Sequence, residues 1–105
     1  MSPDEGVIMP TFAVSYAYAP GSEEARATHR PAHLAFLQGL HRAGILYMSG
    51  PLADTDPSAL LILQDTDRVT LSARLDEDPF FTEGLIAQRT VAEWNVFFDP
   101  RNTVS

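Results

Sequence analysis

Two stretches of this chain lack a polar face. Ile45-Leu46-Tyr47-Met48 is an unbroken apolar run, and so is Leu60 to Leu63. Both are short: the first lies between Gly44 and Gly50-Pro51, and the second belongs to a run from Ala59 to Gln64 that follows a turn with Asp54, Asp56 and Pro57. They therefore read as buried strands rather than as helical segments. Strands that are apolar in both phases belong to a sheet covered on both sides. A chain of 105 residues makes one small domain, which buries a modest share of its surface alone. Its helices can cover one face of such a sheet, and nothing is left for the other. The simplest supplier is the sheet of a second copy, so a symmetric homodimer is expected.

The remaining elements complete the pattern. Thr11 to Tyr18 alternates, with Phe12, Val14, Tyr16 and Tyr18 in one phase, and ends at Pro20-Gly21, which marks a strand. Residues 22–29 are polar and read as a loop or a short helical lead-in. Pro31 suits the first helical position, where a missing N–H costs nothing. This makes Arg30 the cap of a helix running to about Ala43 and stopping at Gly44. A second helix spans about Arg68 to Asp76, capped by Thr66 or Asp67. Asp78-Pro79-Phe80-Phe81 breaks the chain near its end. Ile86 to Phe98 reads as a long last strand, with Ile86, Ala92, Trp94, Val96 and Phe98 in one phase. Residues 1–10 form a flexible arm, 11–98 the domain and 99–105 a polar tail. The order β-α-β-β-α-β predicts an α+β, ferredoxin-like fold: an antiparallel four-stranded sheet with two helices on one face.

Composition removes most chemistries. The chain has no cysteine and no lysine, which excludes disulfides, thiolate nucleophiles, Schiff bases and a phosphate-loop lysine. A formal charge of −7 opposes nucleic-acid binding. The apolar runs fall far below the ~20 residues of a membrane span, and the N-terminus lacks an apolar signal core. No nucleotide fingerprint and no Gly-x-Ser-x-Gly elbow occurs. A cytoplasmic protein without metal or organic cofactor is expected, with neither nucleic acid nor membrane as a partner.

What remains are three histidines, the carboxylates, the tyrosines and Arg30. His33 shares a helical face with Phe36, Leu37 and Leu40. A histidine inside an apolar stripe must find a partner or line a cavity, because burying an unpaired imidazole is unfavourable. The plain reading is a core histidine bonded to a backbone carbonyl. In the functional reading, its place in the first helical turn disfavours the imidazolium and keeps the ring neutral. A nearby carboxylate would then orient it. Asp78, held before a proline and two phenylalanines, is the best candidate, although its spacing equally suits a turn aspartate. His29 and His33 have i, i+4 spacing, but Pro31 sets His29 before the helix, which argues against a metal site. His41 reads as a surface histidine that interacts with the helix C-terminus. Gly50-Pro51 reads first as a strand terminator and second as a pocket wall. Phe80, Phe81 and Trp94 read as core or interface residues before substrate-stacking ones.

Arg30-Pro31-Ala32-His33-Leu34, Gly50-Pro51, and Asp78-Pro79-Phe80 followed by Gly84 together resemble the YciI-like (YCII-related) family, over roughly residues 11–98. The resemblance implies a ferredoxin-like fold that dimerises as an α+β barrel. It also implies a pocket between helix and sheet in which His33 pairs with Asp78 as the active dyad. One related enzyme class removes HCl from chlorinated hydroxyquinols, an elimination that needs only acid–base groups. The expectation is a small cofactor-independent enzyme in which His33, oriented by Asp78, moves a proton on a small cyclic or aromatic oxygenated metabolite, by elimination or isomerisation. Arg30, Gly50, Pro51 and Phe80 are the expected substrate-binding residues, with Arg30 holding an anionic group or serving only as a cap. Tyr16 or Tyr18 faces the pocket. The alternative is a non-catalytic ligand-binding or assembly module with a structural His-Asp pair.

Overall fold

The computed structural model describes residues 9–53 and 56–100. Its strands are β1 (Thr11–Tyr18), β2 (Leu46–Pro51), β3 (Ser58–Gln64) and β4 (Ile86–Trp94). The helices are α1 (Glu23–Arg42), α2 (Arg68–Leu75) and the short α3 (Pro79–Thr82). The strands form one sheet in the order β2-β3-β1-β4, antiparallel throughout. This is the ferredoxin-like α+β fold. Val14 lies opposite Leu61 on one side and Val91 on the other, so one phase of the three strands forms a common apolar face. Phe12, Val14, Tyr16, Leu61 and Leu63 on that face pack with Leu37, Leu71 and Leu75 from the helices to form the core.

Helix α1 begins eight residues earlier than the proline signal suggests. Pro31 sits inside it instead of opening it, and Arg30 is a helical residue rather than a cap. The polar segment before Pro31 is helical because Arg26 belongs to the buried stripe with His33 and Leu37. A proline deletes one N–H→O bond, here the one to Ala27, and both Ala27 and Pro31 lie on the exposed side of the helix. Water can satisfy the freed carbonyl there, and packing of the opposite side outweighs the loss. The C-terminus is as expected. Gly44 adopts φ +80°, its N–H donates to the His41 carbonyl, and the Ile45 N–H donates to the Leu40 carbonyl at 2.9 Å. These two bonds are those of a Schellman motif.

Helix α2 is capped by Asp67, whose side chain accepts from the Thr70 N–H at 2.7 Å. That donation holds the Asp67 carboxyl below its ordinary value. The Asp78-Pro79 step does not simply break the chain. It starts α3, with Asp78 as N-cap and Pro79 in the first turn.

Two irregularities set the strand phases, and the second corrects the expected phase of β4. Register shifts between Leu46 and Met48, so Leu46 faces Leu63 in the core while Met48 faces Ile62 on the far side. A second shift places Ile86 opposite Tyr18 but Gln88 opposite Ala17. Ile86 therefore joins the core face, whereas Ala92 and Trp94 pair with Ala13 and Thr11 on the other. A one-residue slip moves every later side chain across the sheet. Strand β4 also ends at Trp94, so Val96 and Phe98 lie beyond it. Gly50-Pro51 closes β2 as expected: the two are its last residues and still pair with β3, on an edge strand where proline is tolerated. The face away from the helices carries Met48, Leu60, Ile62 and Trp94, apolar as the doubly apolar strands β2 and β3 require, beside the polar Ser15, Thr90 and Gln88 of β1 and β4.

Most of the expected N-terminal arm and C-terminal tail, and Asp54 of the 52–57 turn, lie outside the described residues. Met9 and Pro10 are tied to the sheet, their carbonyls accepting from Gln64 Nε2 at 2.7 Å and from the Asp65 N–H at 3.3 Å.

Candidate active site

A cavity of about 360 Å³ opens between α1, the start of α3 and the edge of the sheet. Each element contributes for a local reason. Helix α1 brings Arg26, Arg30 and His33 from the stripe that also buries Leu37. Strand β1 directs Tyr16 and Tyr18, two residues apart, to the same side. The end of β2 supplies Gly50 and Pro51, and α3 supplies Phe80. All four residues expected to bind substrate line this cavity, and so does His33. Both tyrosines line it, not one.

His33 and Asp78 meet although 45 residues separate them. His33 Nδ1 lies 2.8 Å from Asp78 Oδ1. The carboxylate is fully buried and gathers two further donors: the Phe80 N–H on Oδ1 at 2.9 Å and the Tyr16 hydroxyl on Oδ2 at 3.3 Å. Three donors compensate the loss of hydration that an isolated buried carboxylate would suffer. A carboxylate only accepts, so Nδ1 carries the hydrogen and the neutral ring keeps its lone pair on Nε2, across the ring from Asp78. The ring is fixed in orientation by Phe80, stacked on it at 3.8 Å between centroids and 1° between planes.

His33 lies mid-helix, far from the N-terminus of α1, and not in a first helical turn as expected; its charged neighbour is Asp78. Burial, reinforced by the charge of Asp78, pushes the Tyr16 hydroxyl far above its ordinary value and keeps it a donor. Burial also raises Tyr18, against the opposing pull of Arg26 and Arg30.

The other histidines go elsewhere. His29 is helical, contrary to expectation, but its Nε2 faces Glu83 at 3.7 Å. His41 Nδ1 bonds the Leu46 carbonyl at 2.7 Å, beside the end of α1. Among the described residues no group of three or more His, Asp or Glu side chains gathers as a metal site. Sequence reasoning missed Arg26 and the Tyr16–Asp78 bond. Arg26 was legible in principle, since positions 26, 30, 33 and 37 form one helical stripe once Pro31 is allowed inside the helix.

The profile of the YCII-related domain matches residues 11–95. The chain belongs to the YCII-related family. Similar solved structures agree with the fold. One similar structure is 5-chloro-2-hydroxyhydroquinone dehydrochlorinase (TftG) from Burkholderia phenoliruptrix AC1100, in complex with 2,5-dihydroxybenzoquinone. It is 27% identical, with a TM-score of 0.71, and the match covers 80% of this chain and 92% of that one. Another is PA3566 from Pseudomonas aeruginosa, 20% identical, TM-score 0.56, covering 88% and 98% respectively; at that identity the likeness concerns the fold. A search of curated proteins gave no match. This YCII-related chain thus shares its architecture with a small-molecule enzyme, over nearly the whole of that enzyme.

Proposed function

We propose that this protein is a small cofactor-independent enzyme that uses His33 and Asp78 for acid–base chemistry on a small cyclic or aromatic oxygenated metabolite. The observation that carries this reading is the imidazole itself. Nδ1 is committed to a buried carboxylate, the plane is clamped by Phe80, and the ring borders a cavity large enough for a single-ring compound. In that arrangement Nε2 takes a proton from the substrate, and Asp78 stabilises the imidazolium that forms. If a leaving anion departs from the neighbouring carbon, the result is elimination. If the proton returns at another position, the result is isomerisation. Arg30, Gly50, Pro51 and Phe80 would bind the substrate. The quinone-bound dehydrochlorinase supports the substrate class, since it is similar over most of its length.

The same reading includes a cytoplasmic homodimer, formed through the apolar sheet face that carries Met48, Leu60, Ile62 and Trp94. A second reading has one observation in its favour. Asp78 also caps α3 through the Phe80 N–H, so the pair could be structural in a ligand-binding module.

The test is a panel of hydroxylated and chlorinated single-ring hydroquinones and quinones, followed by absorbance and chloride release, with wild type and His33→Ala. Turnover by wild type that is lost in a folded His33→Ala supports the enzyme. Ligand binding without turnover, unchanged in His33→Ala, supports the binding module.

A further inference from the structure

The chain carries 14 acidic residues against 7 basic ones, yet among the described residues no Asp or Glu lines the His33 cavity. Two arginines do. Arg26 and Arg30 lie one turn apart on α1, with His33 on the next. Two other arginines are neutralised, Arg74 by Asp65 at 2.6 Å and Arg89 by Asp76 at 2.8 Å, while the exposed Arg42 and Arg68 are left to solvent. Neither Arg26 nor Arg30 forms an ion pair with any described residue.

Arg26 is the more telling of the two because it is only 9% exposed. Its Nε donates to Ser22 Oγ at 2.9 Å, and its guanidinium carbon lies 4.3 Å above the Tyr18 ring. Those contacts orient the group but do not neutralise it. A buried charge without a counter-ion is unfavourable unless an anion joins it. Arg30 is exposed and adds a second positive charge at the mouth. Against the one carboxylate behind the wall, Asp78, the two arginines leave the cavity positive in a negative protein, and such a reversal favours the approach of one charge type. Its walls are flat: the His33–Phe80 stack, the Tyr18 ring and Pro51.

We propose that this cavity selects its ligand as an anion, a compact planar ring bearing an oxyanion, with Arg26 and Arg30 as the counter-charge. This deepens the enzyme reading and rests on it for the location of the site. An oxyanion conjugated to a ring can be a phenolate or enolate, or a ring carboxylate. The chemistry of recognition is shared, and two matched pairs distinguish the sources.

Calorimetric titration near neutral pH would compare 2,5-dihydroxybenzoquinone, an acidic vinylogous acid that is ionised there, with its neutral dimethyl ether. It would also compare benzoate with benzamide. The protein has neither cysteine nor lysine, the side chains that most readily add to a quinone. The anion of at least one pair should bind roughly tenfold more tightly than its neutral partner, the difference expected of a charge-assisted hydrogen bond. The preference should shrink with added salt. It should fall several-fold in Arg30→Gln and in Arg26→Gln, persist in Arg26→Lys, and be unchanged in Arg42→Gln, which alters an exposed arginine at the far end of α1.

Equal or tighter binding of the neutral member in both pairs would overturn the proposal. So would a preference unaltered in both glutamine variants, or no detectable binding of any anion. His33→Ala separates this inference from the reading it rests on. With both cations in place, charge preference should survive there even though proton transfer is lost. A wild type that transfers protons on a neutral substrate without charge preference would refute anion selection alone.

Discussion

Phe80 holds His33 twice. Its ring stacks on the imidazole at 3.8 Å, and its backbone N–H shares Asp78 Oδ1 with the imidazole Nδ1. Residues 78 to 80 are therefore one device: the aspartate caps α3, the proline sets the first turn, and the phenylalanine is delivered onto the ring that the aspartate orients. The segment that begins α3 also fixes the histidine, Asp78 its tautomer and Phe80 its plane.

Phe80→Leu separates these two contacts. The backbone donor and the cap survive, while the stack on His33 and the edge contact to Tyr18, 5.9 Å between centroids, are lost. Each aromatic contact is worth about 1 kcal/mol, so unfolding by urea should show a loss of roughly 2 kcal/mol. The His33 ring signals should broaden in NMR spectra as the plane loosens. Sharp, unshifted His33 signals in Phe80→Leu would show that Asp78 alone fixes the ring.

Asp78→Asn distinguishes catalysis from architecture. Three donors converge on the carboxylate, but an amide has one oxygen, so at least one donor must face an NH2. That mismatch should cost about 1–3 kcal/mol of stability. If the dyad is catalytic, loss of the charge that stabilises the imidazolium should lower turnover far more, on the order of 10²–10⁴-fold. His33→Ala with Asp78→Asn should then be little worse than either single change, because residues acting as a unit are strongly non-additive. Melting curves and rates on all four proteins decide it. Activity that falls only in proportion to the folded fraction would refute the enzyme reading.

How much of this was legible in the sequence depends on range. The order of elements, the Gly44 stop, a cap at Thr66 or Asp67 (it is Asp67) and the doubly apolar β2 and β3 follow from local patterns, and all are present. The boundary of α1 was not legible, because the local preference of Pro31 for a helix start is overridden by burial of Arg26 across the whole stripe. The phase of β4 was misread for a related reason. A bulge is specified by the partner strand, so Ile86 and Trp94 look equivalent along the chain yet lie on opposite faces. The dyad was placed by family resemblance, since nothing local distinguishes Asp78 as a partner of His33 from Asp78 as a turn former. The structure has it serving as both. Tyr16 was seen as a strand residue, and its bond to Asp78 depends on a contact 62 residues away.

The outer sheet face should be an interface. Met48 and Trp94 are about half exposed there, beside Leu60 and Ile62. Sedimentation equilibrium at micromolar concentration should give a mass near twice 11.5 kDa. Leu60→Asp would set a charge without a partner in the centre of that contact, which is strongly unfavourable. It should dissociate the dimer and lower the melting temperature. A wild-type monomer with a well-dispersed NMR spectrum would sink this prediction.

Tyr16 makes stability depend on alkaline pH in a direction that can be worked out. Its hydroxyl is raised above the ordinary value of 10.0 by burial first and by Asp78 second. In the unfolded chain the phenol ionises near its ordinary value, whereas in the folded protein it stays protonated. A group raised on folding contributes its full stabilisation below the unfolded value, and the contribution is lost as pH climbs towards the folded one. Wild type should therefore lose stability progressively above about pH 10. Tyr16→Phe removes the titrating group and the hydroxyl's bond to Asp78 together. It should be less stable than wild type at pH 7, by about 1 kcal/mol for one buried hydrogen bond, yet decline less steeply on the alkaline side. Tyr18 is also raised by burial, so a shallower decline should remain in Tyr16→Phe and diminish further when Tyr18→Phe is added. Urea unfolding between about pH 8 and pH 11, a range that brackets the phenol's ordinary value, gives the slopes directly. Parallel slopes for wild type and Tyr16→Phe would mean that Tyr16 titrates alike in the folded and unfolded chains, and that its bond to Asp78 does not hold the proton.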